Sequence, residues 1–190
     1  NRLMVFTRSR MYALYGDFDE ANPNYSCSLV SNEIGCEAPR TLAVEGEVLY
    51  FLAKNKVWKY DGNLTYLSRK IQKSLDKLPD ATRSEAAGLV YDRKYWLSVS
   101  EGGSNNDAQY VLDLNALDEG REVWCRFLLT APQCYASCLN DTYFQGQIAP
   151  IMGGHYNGYV YKFDYGRDHS WVAPITGVVK TAPLDCGMPN

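Results

Sequence analysis

Two short apolar runs, VLYFL at 48 to 52 and VWKY at 57 to 60, flank the polar residues Lys54, Asn55 and Lys56, and Asp61-Gly62 follows. Strand-forming runs on either side of a tight polar break predict a β-hairpin. Successive side chains of a strand point to opposite faces, so Val48, Tyr50 and Leu52 line one face and Leu49 and Phe51 the other. Both faces are apolar. The hairpin therefore needs cover on both sides, which an isolated strand pair cannot supply.

The design recurs along the chain. Strands are predicted at 3 to 7 (LMVFT) and 11 to 15 (MYALY) around a polar turn at 8 to 10, with a third near 26 to 31 after the polar loop at 16 to 24. Strands at 41 to 44, 48 to 52, 57 to 60 and 64 to 67 then form a four-stranded meander. The period changes next: Ile71, Leu75 and Leu78 fall on one helical face with lysines opposite, which predicts one short helix near 68 to 78, stopped by Pro79. A second set of four is expected at 86 to 91, 95 to 100, 110 to 114 and 122 to 129, with a long loop, EGGSNNDA, at 101 to 108 and another through Asp118-Glu119-Gly120. The last set occupies 134 to 139, a segment between 143 and 152, 159 to 164 and 175 to 181.

The second strands of these sets begin near Leu3, Val48, Tyr95 and Ile151, a spacing of roughly 45 to 55 residues. Four-stranded antiparallel units at that spacing fit the blades of a β-propeller, in which neighbouring blades cover both faces of each inner strand. The expected fold is all-β: a partial propeller domain over residues 1 to 190 with blades at about 1 to 34, 38 to 80, 84 to 130 and 132 to 181. A β-sandwich is the alternative, although its strands normally keep one polar face. The first set lacks its own first strand, and the chain opens at Asn1 directly on a strand-like segment. The expectation is a fragment of a larger ring, its open sheet edge completed by another segment.

Composition narrows the function classes. In 190 residues, 46% are hydrophobic and 13% aromatic, which excludes a disordered chain and permits a sizeable core. A net charge of -3 without a basic run gives no general attraction for nucleic acid or anionic membrane, and no sequence-specific nucleic-acid partner is expected. The apolar stretches are strand-sized, so no stable membrane insertion is expected, and no signal peptide is visible. Cys27, Cys36, Cys125, Cys134, Cys138 and Cys186 form no recognised framework and are expected as free, partly buried thiols.

Candidate chemistry is sparse. His169-Ser170 lies near Asp164 and Asp168, but no nucleophile elbow accompanies it, and His155 is the other histidine. Cys134 and Cys138, on one strand, would lie about 13 Å apart, too far for two ligands of one zinc. The acidic and amide residues at 105 to 107 and 164 to 168 lack the alternation of a calcium loop, and Gly153-Gly154 precedes no helix. Sequons at Asn24, Asn63 and Asn140 are read as lying in turns. Trp58, Trp96, Trp124, Tyr161 and Phe163 recur at comparable points and are expected to pack between units, with a sugar-stacking surface as the alternative. No catalytic, cofactor-binding or metal-binding residue is expected.

The order of Gly35-Cys36-Glu37-Ala38-Pro39-Arg40-Thr41, then VLYFL, VWKYDG, Leu67-Ser68 and Ile71, resembles blades of tail propeller proteins from tailed bacteriophages. GYVYKFDYGRD at 158 to 168, followed by 175 to 181, is similar to a last blade of the same proteins. Within that group the chain most resembles tail accessory, or nozzle, proteins of short-tailed phages. The resemblance implies a non-enzymatic virion structural protein that extends or stabilises the tail and is assembled in the host cytoplasm. Its implied partners are other copies of itself and neighbouring tail proteins on the adaptor or portal side. A carbohydrate- or receptor-binding propeller that engages a host surface receptor through loops such as 101 to 108 is the alternative. A propeller hydrolase is the third reading and would need paired carboxylates, for which Asp17, Asp19, Asp118 and Glu119 are available.

Overall fold

The computed structural model describes residues 2–17, 24–102 and 105–128, together with five strand segments between 138 and 174. Strands dominate, and they form separate antiparallel sheets in chain order. The first sheet holds β1 (Arg2–Phe6), β2 (Met11–Asp17) and β3 (Asn24–Ser31). The second holds β4 (Ala43–Glu45), β5 (Val48–Ala53), β6 (Lys56–Tyr60) and β7 (Leu64–Tyr66). The third holds β8 (Ala87–Tyr91), β9 (Lys94–Val99), β10 (Ala108–Asp113) and β11 (Trp124–Leu128). The fourth holds β12 (Cys138–Phe144), β13 (Gln147–Gly153) and β14 (Val160–Lys162), and β15 (His169–Ser170) pairs with β16 (Ala173–Pro174). Each strand pairs with its neighbours in sequence, so every sheet is a meander.

Two tight turns set the register. Lys54 and Asn55 both have positive φ, 51° and 57°, and Asp92 and Arg93 have 50° and 53°. Two consecutive left-handed residues make the type I′ hairpin turn, whose twist matches that of the flanking strands. Asn55 and Asp92 suit this conformation, whereas Lys54 and Arg93 adopt it against their own preference. The first turn aligns Phe51 opposite Trp58 and Leu52 opposite Val57.

The strand at 41 to 44 starts later than its sequence suggests. Pro39–Thr41 forms a 3-10 turn with the proline near its start, where a missing N–H costs nothing. The helix expected within 68 to 78 is shorter and divided: a 3-10 turn at Arg69–Ile71 leads into α1 (Gln72–Leu75). Pro79 then sits in extended conformation at the start of α2 (Asp80–Arg83), so it opens a helix as well as ending one. The loop read through residue 118 contains α3 (Leu114–Asp118), whose first N–H groups are capped by the Asp113 carboxylate. Asn140 lies within β12 and Asn24 begins β3, so only Asn63 of the three sequons falls in a turn. Of the strand expected at 134 to 139, residues 138 and 139 lie in β12, and 134 to 137, with Cys134, as well as His155, Phe163 and the run from 175 to 181 lie outside the described residues.

The second sheet is the middle layer of three. Leu49, Phe51 and Ala53 pack towards the first sheet with Met11, Cys36 and Tyr60. Tyr50 and Leu52 pack the other way with Val57, Tyr95, Leu97 and Tyr110. Burial of a side chain such as Phe51 or Leu52, both 0% exposed, contributes about 1.5–3 kcal/mol, and it is gained on both faces of one strand. The far face of the third sheet is closed too: Trp96, Ser98, Gln109 and Val111 are buried. The first strands approach one another in succession, β4 lying against β8 and β8 against β12.

Candidate functional site

The surfaces with a built geometry are those where sheets meet. Between the second and third sheets the Tyr50 and Tyr95 rings stack with centroids 5.6 Å apart. Tyr95 is wholly buried, and its hydroxyl donates to the Thr41 carbonyl at 2.9 Å. Burial, joined by the nearby Cys36, pushes that phenol far above its ordinary range, and the Tyr50 phenol is pushed up to about 12, mainly by burial. Neither ionises near neutrality, so both serve as neutral packing groups.

Thr41 organises this seam. Its hydroxyl donates to the Ala38 carbonyl at 2.6 Å and accepts the Leu52 N–H at 3.0 Å. One buried side chain therefore holds the 3-10 turn on β5 while its carbonyl holds β9. Gly88 on β8 lets the sheets come this close: a Cβ there would stand 2.8 Å from the Thr41 carbonyl oxygen and 2.9 Å from the Tyr95 hydroxyl. The glycine is needed for space, not for a left-handed backbone. On the outer side the Trp124 indole donates to the Leu67 carbonyl at 3.1 Å, tying β11 to the end of β7.

Polar straps frame the same seam. Arg93 bridges Glu45, at 3.0 Å, and Asp118, while Arg40 pairs with Glu85 at 3.0 Å. Arg83 joins Glu37 at 3.2 Å, and Glu37 also accepts the Lys54 N–H. Lys70 donates to the Glu122 carbonyl. These pairs are partly exposed and screened by solvent, so they mainly fix alignment.

Described polar groups of the loop at 101 to 108 bond to one another and to neighbouring strands. Asp107 accepts the Glu101 N–H at 2.7 Å, and the buried Asn106 donates to the Glu85 carbonyl at 2.7 Å. The Glu101 carboxylate accepts from Arg126 and from the Tyr110 hydroxyl. Burial pushes this carboxyl up, but the hydrogen bonds from Arg126 and Tyr110 outweigh it and hold it below its ordinary value. Residues 103 and 104 lie outside the described residues.

The sequence-derived candidates are dispersed. Cys27 and Cys125 are exposed free thiols, and Cys36 is a buried one whose thiol is pushed up by burial, which makes it unreactive. No group of three or more histidine, cysteine or acidic residues able to hold a metal ion occurs among the described residues. No helix among them is long and apolar enough to cross a membrane. Trp58, Trp96 and Trp124 are packing residues: Trp58 lies against the core between the first and second sheets, Trp96 stacks on Phe127, and Trp124 borders the core between the second and third sheets. The sequence places Thr41 at the end of the 35 to 41 motif and Glu101 at the start of the 101 to 108 loop, but marks neither of them nor Gly88 as a residue that joins sheets. Pro39 ahead of Thr41 and the Gly-Leu-Val run at 88 to 90 were the available signals.

The first sheet departs from this closed pattern. Its outer face shows Leu3, Val5, Tyr25 and Leu29 to solvent, with Leu29 55% exposed. Its inner face meets the second sheet only in part, leaving an open cleft of ≈ 760 Å³ between β1 and the β4–β5 hairpin. Compared with known proteins, the chain matches neither a protein-family model nor a curated sequence.

Proposed function

We propose that the chain is a non-enzymatic structural protein whose meander sheets are blades of a β-propeller, arranged with their first strands innermost. The observation that carries this reading is the second sheet, covered on both faces by sheets adjacent in sequence, together with the succession of β4, β8 and β12. A two-layer sandwich would leave one face of that sheet to solvent. Repetition of one packed unit suits a rigid scaffold, and the Thr41, Tyr95 and Trp124 hydrogen bonds hold sheet to sheet.

The scaffold belongs, on this reading, to a phage tail, as a nozzle or accessory propeller that packs against copies of itself and against adaptor-side tail proteins. The resemblance of Gly35 to Ile71 to tail propeller blades supports it, and the apolar outer face of the first sheet supplies a surface suited to burial in an assembly. Purified infectious particles are expected to yield peptides of this chain in stoichiometric amount by mass spectrometry. Particles that infect normally without it would overturn the tail assignment.

A further inference from the structure

The chain is acidic overall, with a net charge of -3, but its cations are used in two ways. Arg40, Arg83, Arg93 and Arg126 each pair with a carboxylate and join elements distant in sequence. Arg8, Arg10, Lys54, Lys56, Arg69 and Lys73 make no ion pair among the described residues.

A continuous path of contacts brings these cations to one rim. Arg8 and Arg10 lie on the β1–β2 turn, where the Thr7 N–H donates to the Arg10 carbonyl at 2.9 Å. The segment at 35 to 37 rests on that turn: the Cys36 N–H donates to the Thr7 carbonyl, and the Glu37 carboxylate accepts the Lys54 N–H at 2.9 Å. Lys54 belongs to the β5–β6 turn, and the next carbonyl, that of Asn55, accepts from the Gln72 side chain at 3.0 Å, which holds α1 beside it. Lys73 follows Gln72 and is exposed, as are Arg8, Arg10, Lys54 and Arg69.

Neutral groups hold several of these charges. The Lys56 ammonium and the Arg69 guanidinium stand 5.3 and 5.8 Å from the centroid of the Tyr66 ring, and Arg10 donates to the Tyr12 hydroxyl at 3.5 Å. A cation placed by an aromatic ring and not by a carboxylate keeps its charge for an outside partner. The carboxylates on the same segments are Glu33, Glu37 and Asp76, of which Glu37 is engaged by Arg83 and Asp76 accepts from Gln72.

We infer that this rim binds single-stranded nucleic acid through its phosphate backbone, without sequence preference. Cations strung along two turns and a helix match a linear polyanion, whereas one small anion would need them convergent. Half-buried Trp58 and Tyr66, ring centroids 5.8 Å apart, lie among them and favour a strand whose bases stack on aromatic rings over an acidic peptide. The inference does not depend on the tail assignment.

Fluorescence anisotropy of a labelled oligothymidylate of about 20 nucleotides, titrated with the intact chain, tests it. Saturable binding is expected at low salt, weakening about 50- to 300-fold between about 50 and 200 mM salt, as about four to six phosphate contacts require. Lys54→Gln with Arg69→Gln is expected to weaken binding at least about fivefold and to lower the log–log salt slope by about 1.4. Arg8→Gln with Arg10→Gln, an independent pair, is expected to do the same, so a folding defect in one pair does not decide the outcome. Lys94→Gln with Arg121→Gln removes the same charge from the third sheet and its loops, and binding is expected to stay within about twofold. Absence of saturable binding at low salt would overturn the inference. Equal weakening by the third-sheet pair would overturn it too, since net charge would then be the cause. Polyglutamate or heparin bound as tightly as the oligonucleotide would overturn the nucleic-acid assignment in favour of an acidic protein or an acidic glycan.

Discussion

The two seams on either side of the second sheet are built differently. Towards the third sheet, stacked tyrosines, the Thr41 bonds and the Gly88 approach close the seam, and Arg93, Arg83, Arg40 and Lys70 brace its rim. Towards the first sheet, Phe6 and Phe51 meet and the Cys36 N–H donates to the Thr7 carbonyl at 2.8 Å, but part of the seam is an open cleft. Repeating the same strand pattern does not make equal interfaces. The closed seam has a complete pair of four-stranded sheets, whereas the open one joins four strands to three. Among the described residues, both the cleft and the exposed Val44 lie on the side of the second sheet that faces the three-stranded sheet.

Substitutions can separate the two seams, and equilibrium chemical denaturation reads them directly. Tyr95→Ala should cost about 3–5 kcal/mol, since it empties a fully buried aromatic site and removes the bond to Thr41. Met4→Ala, at the cleft, should cost no more than about 1 kcal/mol, because its side chain is only half-buried. Equal costs would erase the distinction. Thr41→Val keeps the shape but orphans the buried Leu52 N–H, and a loss of about 1–3 kcal/mol is expected.

Acid titration probes the outer part of the third sheet. The folded protein holds the Glu101 carboxyl below its ordinary value, so the stability this group contributes is present above the unfolded-state pKa and is lost as pH falls through the lower folded value. Glu101→Gln should therefore be less stable than the parent at neutral pH, and the melting-temperature difference should narrow as the solution is acidified below the ordinary carboxylate range. A difference independent of pH would exclude the charge as its source. The smallest effect is expected for Arg93→Ala, a barely measurable shift of the denaturation midpoint, since the guanidinium and its partner Asp118 are exposed to screening solvent.

Much of the architecture was legible because strands advertise themselves by period and turns by composition. VLYFL and VWKY gave both the hairpin and the demand for cover on its two faces, and Tyr50 and Phe51 indeed point to opposite cores. The helices were less legible. Pro39 and Pro79 act at helix starts, a role that looks the same in sequence as a strand or helix breaker, and α3 spans barely more than one turn, too short for a helical period to show. The seam residues were hidden for a different reason. Thr41, Gly88 and Glu101 matter largely through partners distant in sequence, such as Leu52 and Tyr95 for Thr41 and Arg126 for Glu101, and no local pattern records such pairings.

The most direct measurement is a cryo-electron-microscopy map of the assembled protein. β4, β8 and β12 are expected side by side around a common axis, each sheet extending outward. A map in which the second and third sheets close into a two-layer sandwich, with Phe51 or Trp96 facing solvent, would contradict the propeller arrangement.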